Sequence, residues 1–420
     1  MAQHSSTTYR DPYAALRYPE YRNFTVAAVL YTMAILIQEV AIGYELYSIT
    51  RDPLALGLTG LAEALPFIGL SLYGGHIADR FNKRKIILWS VGIITTGSIL
   101  LHFVARQGAA GNIPVPVLVG VIYGIVFLIG VCRAFQLPAA SSLRAFLVPV
   151  SVYENAATWS SSAWQTGAII GPTAGGFLFA WLGFHDTLLV VVGLFAAAFV
   201  LFSGVRGREG IPQSTERNLL ASVREGLSFV WRTKPILYAI SLDLFSVLFG
   251  GVVALLPIYA QDILKVGSEG LGILRAAPSI GAVVMLLILS RLSPMEHAWR
   301  NLLIAVAGFG VCILVFAVSP WMILSVIMLF FSGAFDSISV VIRQTLLQLK
   351  TPDEMRGRVM AVNGIFITSS NELGAFESGV AAKILGVVPS AVFGGIATLV
   401  IVAWVGLRSG DLLKSTGESP

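Results

Sequence analysis

Apolar runs of about 20 residues recur about twelve times along this 420-residue chain, each parted from the next by a short polar loop. A helix rises 1.5 Å per residue, so a run of that length crosses the ~30 Å hydrocarbon core of a bilayer. The first six runs are Phe24–Ile49, Leu54–Tyr73, Ile86–Val104, Val115–Leu137, Ala156–Leu182 and Thr187–Val205. A polar stretch, Arg206 to Lys234, follows. The second six are Ile236–Ala260, Leu271–Leu289, Leu302–Val318, Trp321–Val341, Val359–Leu385 and Ser390–Leu407. Only 12% of the residues are charged, against roughly 25% in soluble domains, which leaves too little polar surface to cover a water-soluble globule. The spacing therefore predicts an all-α membrane protein.

The cations set an orientation. Arg10, Arg17, Arg22, Arg80, Lys83, Arg84, Lys85 and Arg144 fall on the side of the N-terminus, as do Arg291, Arg343, Arg356, Arg358 and Arg408. The opposite loops hold Arg51, Arg106 and Lys265. Cytoplasmic loops concentrate Lys and Arg, so both termini are expected in the cytoplasm. The net charge of +5 is thus a topology signal, and no nucleic acid is expected as a partner. Residues 1–23 lack an apolar leader core, and no cleavable signal is expected there.

The chain repeats itself. Gly60-Leu-Ala-Glu63-Ala64-Leu-Pro66-Phe-Ile68-Gly69 aligns with Gly272-Ile-Leu-Arg275-Ala276-Ala-Pro278-Ser-Ile280-Gly281, with five of ten positions identical. A weaker echo joins Arg144 to Arg343. Matches in the same order in each half predict two pseudo-symmetric six-helix bundles. The expected division is a cytoplasmic segment 1–23, bundles 24–205 and 235–407, a cytoplasmic linker 206–234 and a cytoplasmic tail 408–420. Leu219 to Trp231 is amphipathic and suits the membrane surface.

Ionisable residues inside apolar runs are costly and usually functional. They are Glu39, Glu45, Glu63, Arg133, Asp243, Arg275, Asp336, Glu372 and Glu377. Glu39 and Glu63 fall near mid-membrane. A carboxylate there is costly when dry and tolerable when wet, which suits a proton carrier, and Asp243 and Asp336 are the counterparts in the second half. Glu63 and Arg275 occupy matching repeat positions, where a pair across the pseudo-two-fold axis is geometrically open. Arg133 either holds an anionic substrate or stabilises Asp79. Tyr31, Tyr44, Trp164 and Phe245, with Arg275 and Glu372, are candidates to line a substrate cavity, although each aromatic singly also fits a core or lipid-facing place. Cys132 and Cys312 sit inside apolar runs and read as small core residues. His76 and His297 lack metal-ligand spacing. No nucleophile constellation, phosphate loop or metal cluster is present in the sequence, so neither an enzyme nor a metal or other cofactor is expected.

Four segments carry a resemblance. Gly74-Gly75-His76-Ile77-Ala78-Asp79-Arg80-Phe81-Asn82-Lys83-Arg84-Lys85, read as a charged turn, resembles the major facilitator superfamily signature after the second transmembrane helix. There the aspartate meets the start of the eleventh helix and stabilises the outward-open state. The matching gate positions are Gly75, Asp79, Arg80 and Arg84, with Arg133 as a further candidate; Asn82 stands where Gly is usual. Gly167, Gly171, Pro172, Gly175 and Gly176 resemble the antiporter signature of the fifth helix, whose upstream glycine falls at Thr158. Thr351 to Asn363 resembles the enterobactin-exporter and macrolide-efflux branch, as does Leu16 to Phe24 at the entry to the first helix. The resemblance implies twelve transmembrane helices in the cell (inner or plasma) membrane. It also implies export of a small organic molecule, siderophore or hydrophobic drug, by alternating access in exchange for protons, with the protein acting as a monomer. The alternative is facilitative or symport uptake of a nutrient or metabolite. A cysteine at Gly111 should be labelled from outside the cell and one at Thr215 only from inside; the reverse pattern would overturn the topology.

Overall fold

The computed structural model describes residues 11–206, 219–292 and 294–409. In chain order the helices are α1 (Pro19–Thr50), α2 (Pro53–Arg80), α3 (Lys83–Ala109), α4 (Val115–Phe146), α5 (Tyr153–Ser203), α6 (Leu219–Arg232), α7 (Lys234–Gly250), α8 (Leu256–Ile258), α9 (Gly267–Leu289), α10 (Ala298–Val318), α11 (Met322–Lys350), α12 (Asp353–Leu385) and α13 (Val387–Arg408). Ten helical stretches among the described residues are long and apolar enough to cross a membrane. One of them, α5, holds two crossings, because Gly183 at φ 75° breaks the rod where a residue with a side chain would be strained. The twelfth rod is α12. It has the length but carries Arg356, Arg358, Asn371, Glu372 and Glu377, a polarity explained by the surfaces it touches. The described residues thus make twelve crossings, with α1 starting and α13 finishing at one end, called here the terminal end; the other is the distal end.

The two halves repeat one packing scheme. In the first, α1 packs on α5, α2 on α4, and α3 on both α4 and α5. In the second, α7 packs on α12 and α13, α9 on α11, and α10 on α11 and α13. The halves meet along α2 with α12 and α5 with α9. Close approach rests on missing side chains. A Cβ on Gly130 would lie 2.4 Å from the Glu63 carbonyl oxygen, and one on Gly333 only 1.9 Å from that of Pro278. At the seam between halves a Cβ on Gly57 would come within 2.9 Å of Gly379 Cα, and one on Gly176 within 2.8 Å of Gly272 Cα.

Several expectations change. The charged turn is mostly helix: α2 continues to Arg80, and only Phe81 and Asn82 separate it from α3. Asn82 is extended, and its side chain accepts from the Lys85 amide at 2.9 Å. It therefore replaces glycine as a helix cap, where Asn is among the preferred residues. Gly74 makes the tight contact, 2.0 Å from a virtual Cβ to the Ala134 carbonyl oxygen, whereas Gly75 has open space. The seventh crossing is one rod only to Gly250; a 3-10 turn, α8 and a π turn carry it on to Ile263, around Gly251 and Pro257. The amphipathic stretch forms α6, which packs on α12 and α7. Arg343 is no loop cation, because α11 runs to Lys350 and buries it. The segments 1–10, 207–218 and 410–420, and so part of the expected linker and most of the expected tail, lie outside the described residues.

The repeat preserves residues without preserving their surroundings. Gly69 has no atom within 4 Å of a virtual Cβ, but its partner Gly281 would place one 1.9 Å from the Phe330 carbonyl oxygen. Gly281→Ala should therefore cost about 1–3 kcal/mol by forcing α9 from α11. Gly69→Ala should be neutral or gain up to about 1 kcal/mol of helix propensity. Thermal unfolding of the two variants in detergent checks this; equal midpoints would refute the asymmetry.

Candidate functional site

Between the halves lies a chamber of about 260 Å³. α1 contributes Gln38 and Glu39, α2 contributes Thr59 and Glu63, α4 contributes Arg133, α9 contributes Arg275, and α12 contributes Asn371 and Glu372. The remaining walls are apolar, among them Ile42, Val126 and Val247.

Arg133 pairs with Glu63 of its own half and, at 3.4 Å, with Glu372 of the other. Arg275 pairs across the interface with Glu39 at 3.0 Å. Glu39 is half exposed to the chamber while Arg275 is nearly covered. Three carboxylates thus face two guanidiniums, a formal charge of −1 when all are ionised. Gln38 accepts from the Ser98 hydroxyl at 2.8 Å. Its Nε2 and the Arg275 Nε are buried without a hydrogen-bond partner among the described residues.

A second charged cluster sits inside the C-terminal half. Asp243 of α7 pairs with Arg343 of α11, and both are buried. Asp336 lies beside them in a narrow cleft with Ser246, Ser339, Phe309 and Phe335.

The distal end is tied shut. Arg51 pairs with Asp262 at 3.0 Å, and the Tyr47 hydroxyl donates to the same carboxylate. Lys383 donates to Asp52 at 2.8 Å, and Gln261 donates to the Tyr44 carbonyl at 3.0 Å. Asp52 also caps α2, accepting from the Leu54 amide at 3.0 Å. The Lys383 ammonium bonded to it holds the Asp52 carboxyl below the usual carboxylate range.

Of the sequence candidates, Glu39, Glu63, Arg133, Arg275 and Glu372 come together in the chamber. Glu63 and Arg275 are not partners; each takes another ion. Arg133 lies well inside α4, because that helix extends to Phe146, and it bridges the two halves. Asp243 and Asp336 form the separate cluster. Glu45 and Glu377 line no part of the chamber. Tyr31, Tyr44, Trp164 and Phe245 do not line it either: Tyr31 lies tilted against Phe195, Tyr44 tilted against Phe179 and Phe245 stacked on Phe249, while Trp164 is exposed. The fifth-helix glycines serve packing. Gly167, Gly171 and Gly175 press on α1 at Thr32, Leu36 and Ile37, and Pro172 meets Gly272 through its carbonyl. Of the gate positions, Arg84 donates to the Ser203 carbonyl at the end of α5 and Arg80 is exposed. Asp79 lies in the last turn of α2, and its side chain is outside the described residues.

Sequence reasoning missed Gln38, Asn371 and the clamp formed by Asp52, Asp262 and Lys383. Gln38 and Asn371 carried a signal, being amides beside carboxylates inside apolar runs. The clamp residues carried none, since they are ordinary loop-edge charges until the two halves meet.

A family described as transmembrane secretion effector matches residues 10–415. The chain is similar to the enterobactin exporter EntS of Citrobacter koseri, 26% identical over 416 residues, covering 96% of this chain and 95% of that protein. The exporter of the same name from Salmonella paratyphi A is 25% identical over 413 residues, with the same coverage. Among solved structures, a bacterial homolog of the human lysosomal transporter Spinster, inward-facing and unoccupied, superposes with a TM-score of 0.70 at 15% identity, covering 96% of this chain and 99% of that one. A POT family transporter in complex with 5-aminolevulinic acid gives 0.72 at 14%, covering 93% and 96%. These structures share the fold.

The distal clamp makes a prediction. A depressed carboxyl keeps its pair formed above the ordinary carboxylate range and loses it only as pH falls through the depressed value, so the pair is constant between about pH 5 and 8. Asp52→Asn keeps the helix cap and removes the charge, weakening closure by no more than about 1 kcal/mol. Spin labels at Asn112 and Trp321 should report a larger long-distance population. The shift should be equal at about pH 5.5 and 7.5; a pH-dependent shift would show that the pair titrates in this range.

Proposed function

This chain belongs to the transmembrane secretion effector family of the major facilitator superfamily, and we propose that it exports an oxygen-rich small organic molecule, of which a siderophore is the leading case, in exchange for protons. It is a multi-pass membrane transporter of a small molecule. The observation that carries the proposal is the placement of Arg133 between Glu63 and Glu372, one carboxylate from each half.

The coupling follows from that placement. With the carboxylates ionised, Arg133–Glu372 and Arg275–Glu39 tie the halves in the distally closed state. An empty, deprotonated carrier is thereby held from switching, because parting the ions leaves them unpaired where charge is costly. A substrate rich in oxygen offers the guanidiniums and the free Gln38 Nε2 replacement acceptors. It thus releases the halves, and the chamber opens to the distal side, which the cation asymmetry assigns to the exterior. There the substrate dissociates, and a proton taken up on the Glu63–Glu372 pair neutralises the acidic excess of −1 and permits the empty carrier to return. Proton release on the terminal side rebuilds the bridges. The enterobactin exporters among the relatives support the substrate class. The hydrogen-bonding lining of the chamber supports it over a purely apolar drug.

Glu63→Gln and Glu372→Gln keep side-chain shape and remove the titrating charge. In proteoliposomes with an imposed pH gradient, enterobactin transport driven by the gradient should fall at least about tenfold in each, the equivalent of ~1.4 kcal/mol. Substrate-for-substrate exchange should persist, since it needs no proton cycle. If both amides retain gradient-driven transport, the coupling assignment to this pair is wrong; loss of exchange as well as drive would make them binding residues only.

A further inference from the structure

The outer face of the N-terminal half holds a second hollow, unconnected with the chamber. α3, α4 and the later part of α5 leave a groove of about 880 Å³ that shares no lining residue with the chamber. Its floor is hollowed by glycine: a Cβ on Gly92 would meet nothing closer than the Phe199 ring at 3.7 Å. Along α3 one stripe faces it, starting at Lys85 and Trp89 and ending at Leu100. α3 packs chiefly on α4 and α5 of its own half, and Trp89 and Leu100 are exposed, so in a membrane-spanning chain this face meets lipid.

Three features match the groove to one occupant. The first is length. From Lys85 to Leu100 the helix rises about 22 Å, half of the 40–45 Å bilayer with its headgroups. The second is charge. Lys83 lies over the Phe146 ring at 5.6 Å and Arg84 is spent on the Ser203 carbonyl. The Lys85 ammonium is exposed and has no partner among the described residues, so it is free for an anion at the mouth of an otherwise apolar slot. The third is Trp89, one turn from Lys85 and 72% exposed, a residue whose amphipathic ring favours the headgroup level. We infer that the groove binds an anionic phospholipid, with an acyl chain laid over Gly92 and the phosphate on Lys85.

The test uses the full-length protein in detergent, incubated with phosphatidylglycerol or phosphatidylcholine of the same chains and read by native mass spectrometry. The wild type should retain phosphatidylglycerol about fivefold better, the effect of one cation at an anionic headgroup. Lys85→Gln should erase that preference and Lys85→Arg should keep it. Gly92→Leu should lower retention of both lipids by filling the floor. Thr96→Phe, at another lining position, replaces it if the leucine variant does not elute as a folded species. Equal retention of the two lipids by the wild type, or an undiminished preference in Lys85→Gln, would refute the headgroup site. Unchanged retention in the filled variants would place the acyl chain elsewhere, and dimers that displace the lipid would give the groove to a second copy of the chain.

Discussion

Charge that must be buried is the constraint on which the architecture depends. Moving an ion out of water costs several kcal/mol even after relaxation, so a carboxylate or guanidinium inside a membrane protein must find its opposite. Glu63 pairs with Arg133 inside its own half, but Glu372 reaches Arg133 and Glu39 reaches Arg275 only when the halves are together. The pairs Arg133–Glu372 and Arg275–Glu39 cross the interface, so one closed arrangement of the halves is also the arrangement in which charge is paired. Removing one partner strands the other, and so these residues act as a unit.

The glycine seams make that pairing geometrically available. Side chains at Gly57, Gly60, Gly176 and Gly272 would hold α2 from α12 and α5 from α9, and the short reach of Glu372 to Arg133 would be lost. Direct packing of backbones also explains why α12 can carry so many polar residues and still span. Arg358 pairs with Glu225 of α6, and Asn371 and Glu372 face the chamber. The distal clamp of Arg51, Asp52, Asp262 and Lys383 works differently. Its members remain partly exposed, and each pair contributes little by itself.

The duplicated halves are equal in fold and unequal in chemistry. Glu63 and Arg275 stand at one repeat position with opposite charge, and Gly69 and Gly281 stand at another with opposite packing. The C-terminal half keeps a private ion pair, Asp243 with Arg343, whereas the N-terminal counterpart Arg144 lies over the Phe24 ring. Divergence on a shared scaffold places the interfacial charges on both sides of the seam.

Much was legible in the chain itself. Run length against bilayer thickness determined the number of crossings, including the division of α5 at Gly183, because a hydrogen-bonded helix of about 20 apolar residues is the economical way through lipid. Alignment of Gly60–Gly69 with Gly272–Gly281 determined the duplication, and the rarity of ions in apolar runs singled out Glu39, Glu63, Arg133, Arg275 and Glu372. Only the tertiary structure decided their partners: Arg275 with Glu39 rather than Glu63, Arg133 between two halves rather than beside Asp79, Arg343 in the core rather than a loop. It also decided that Tyr31, Tyr44, Trp164 and Phe245 stay out of the chamber. Helical periodicity tells which residues share a face, but which face meets which depends on where glycine lets two backbones touch, often from segments some 200 residues apart.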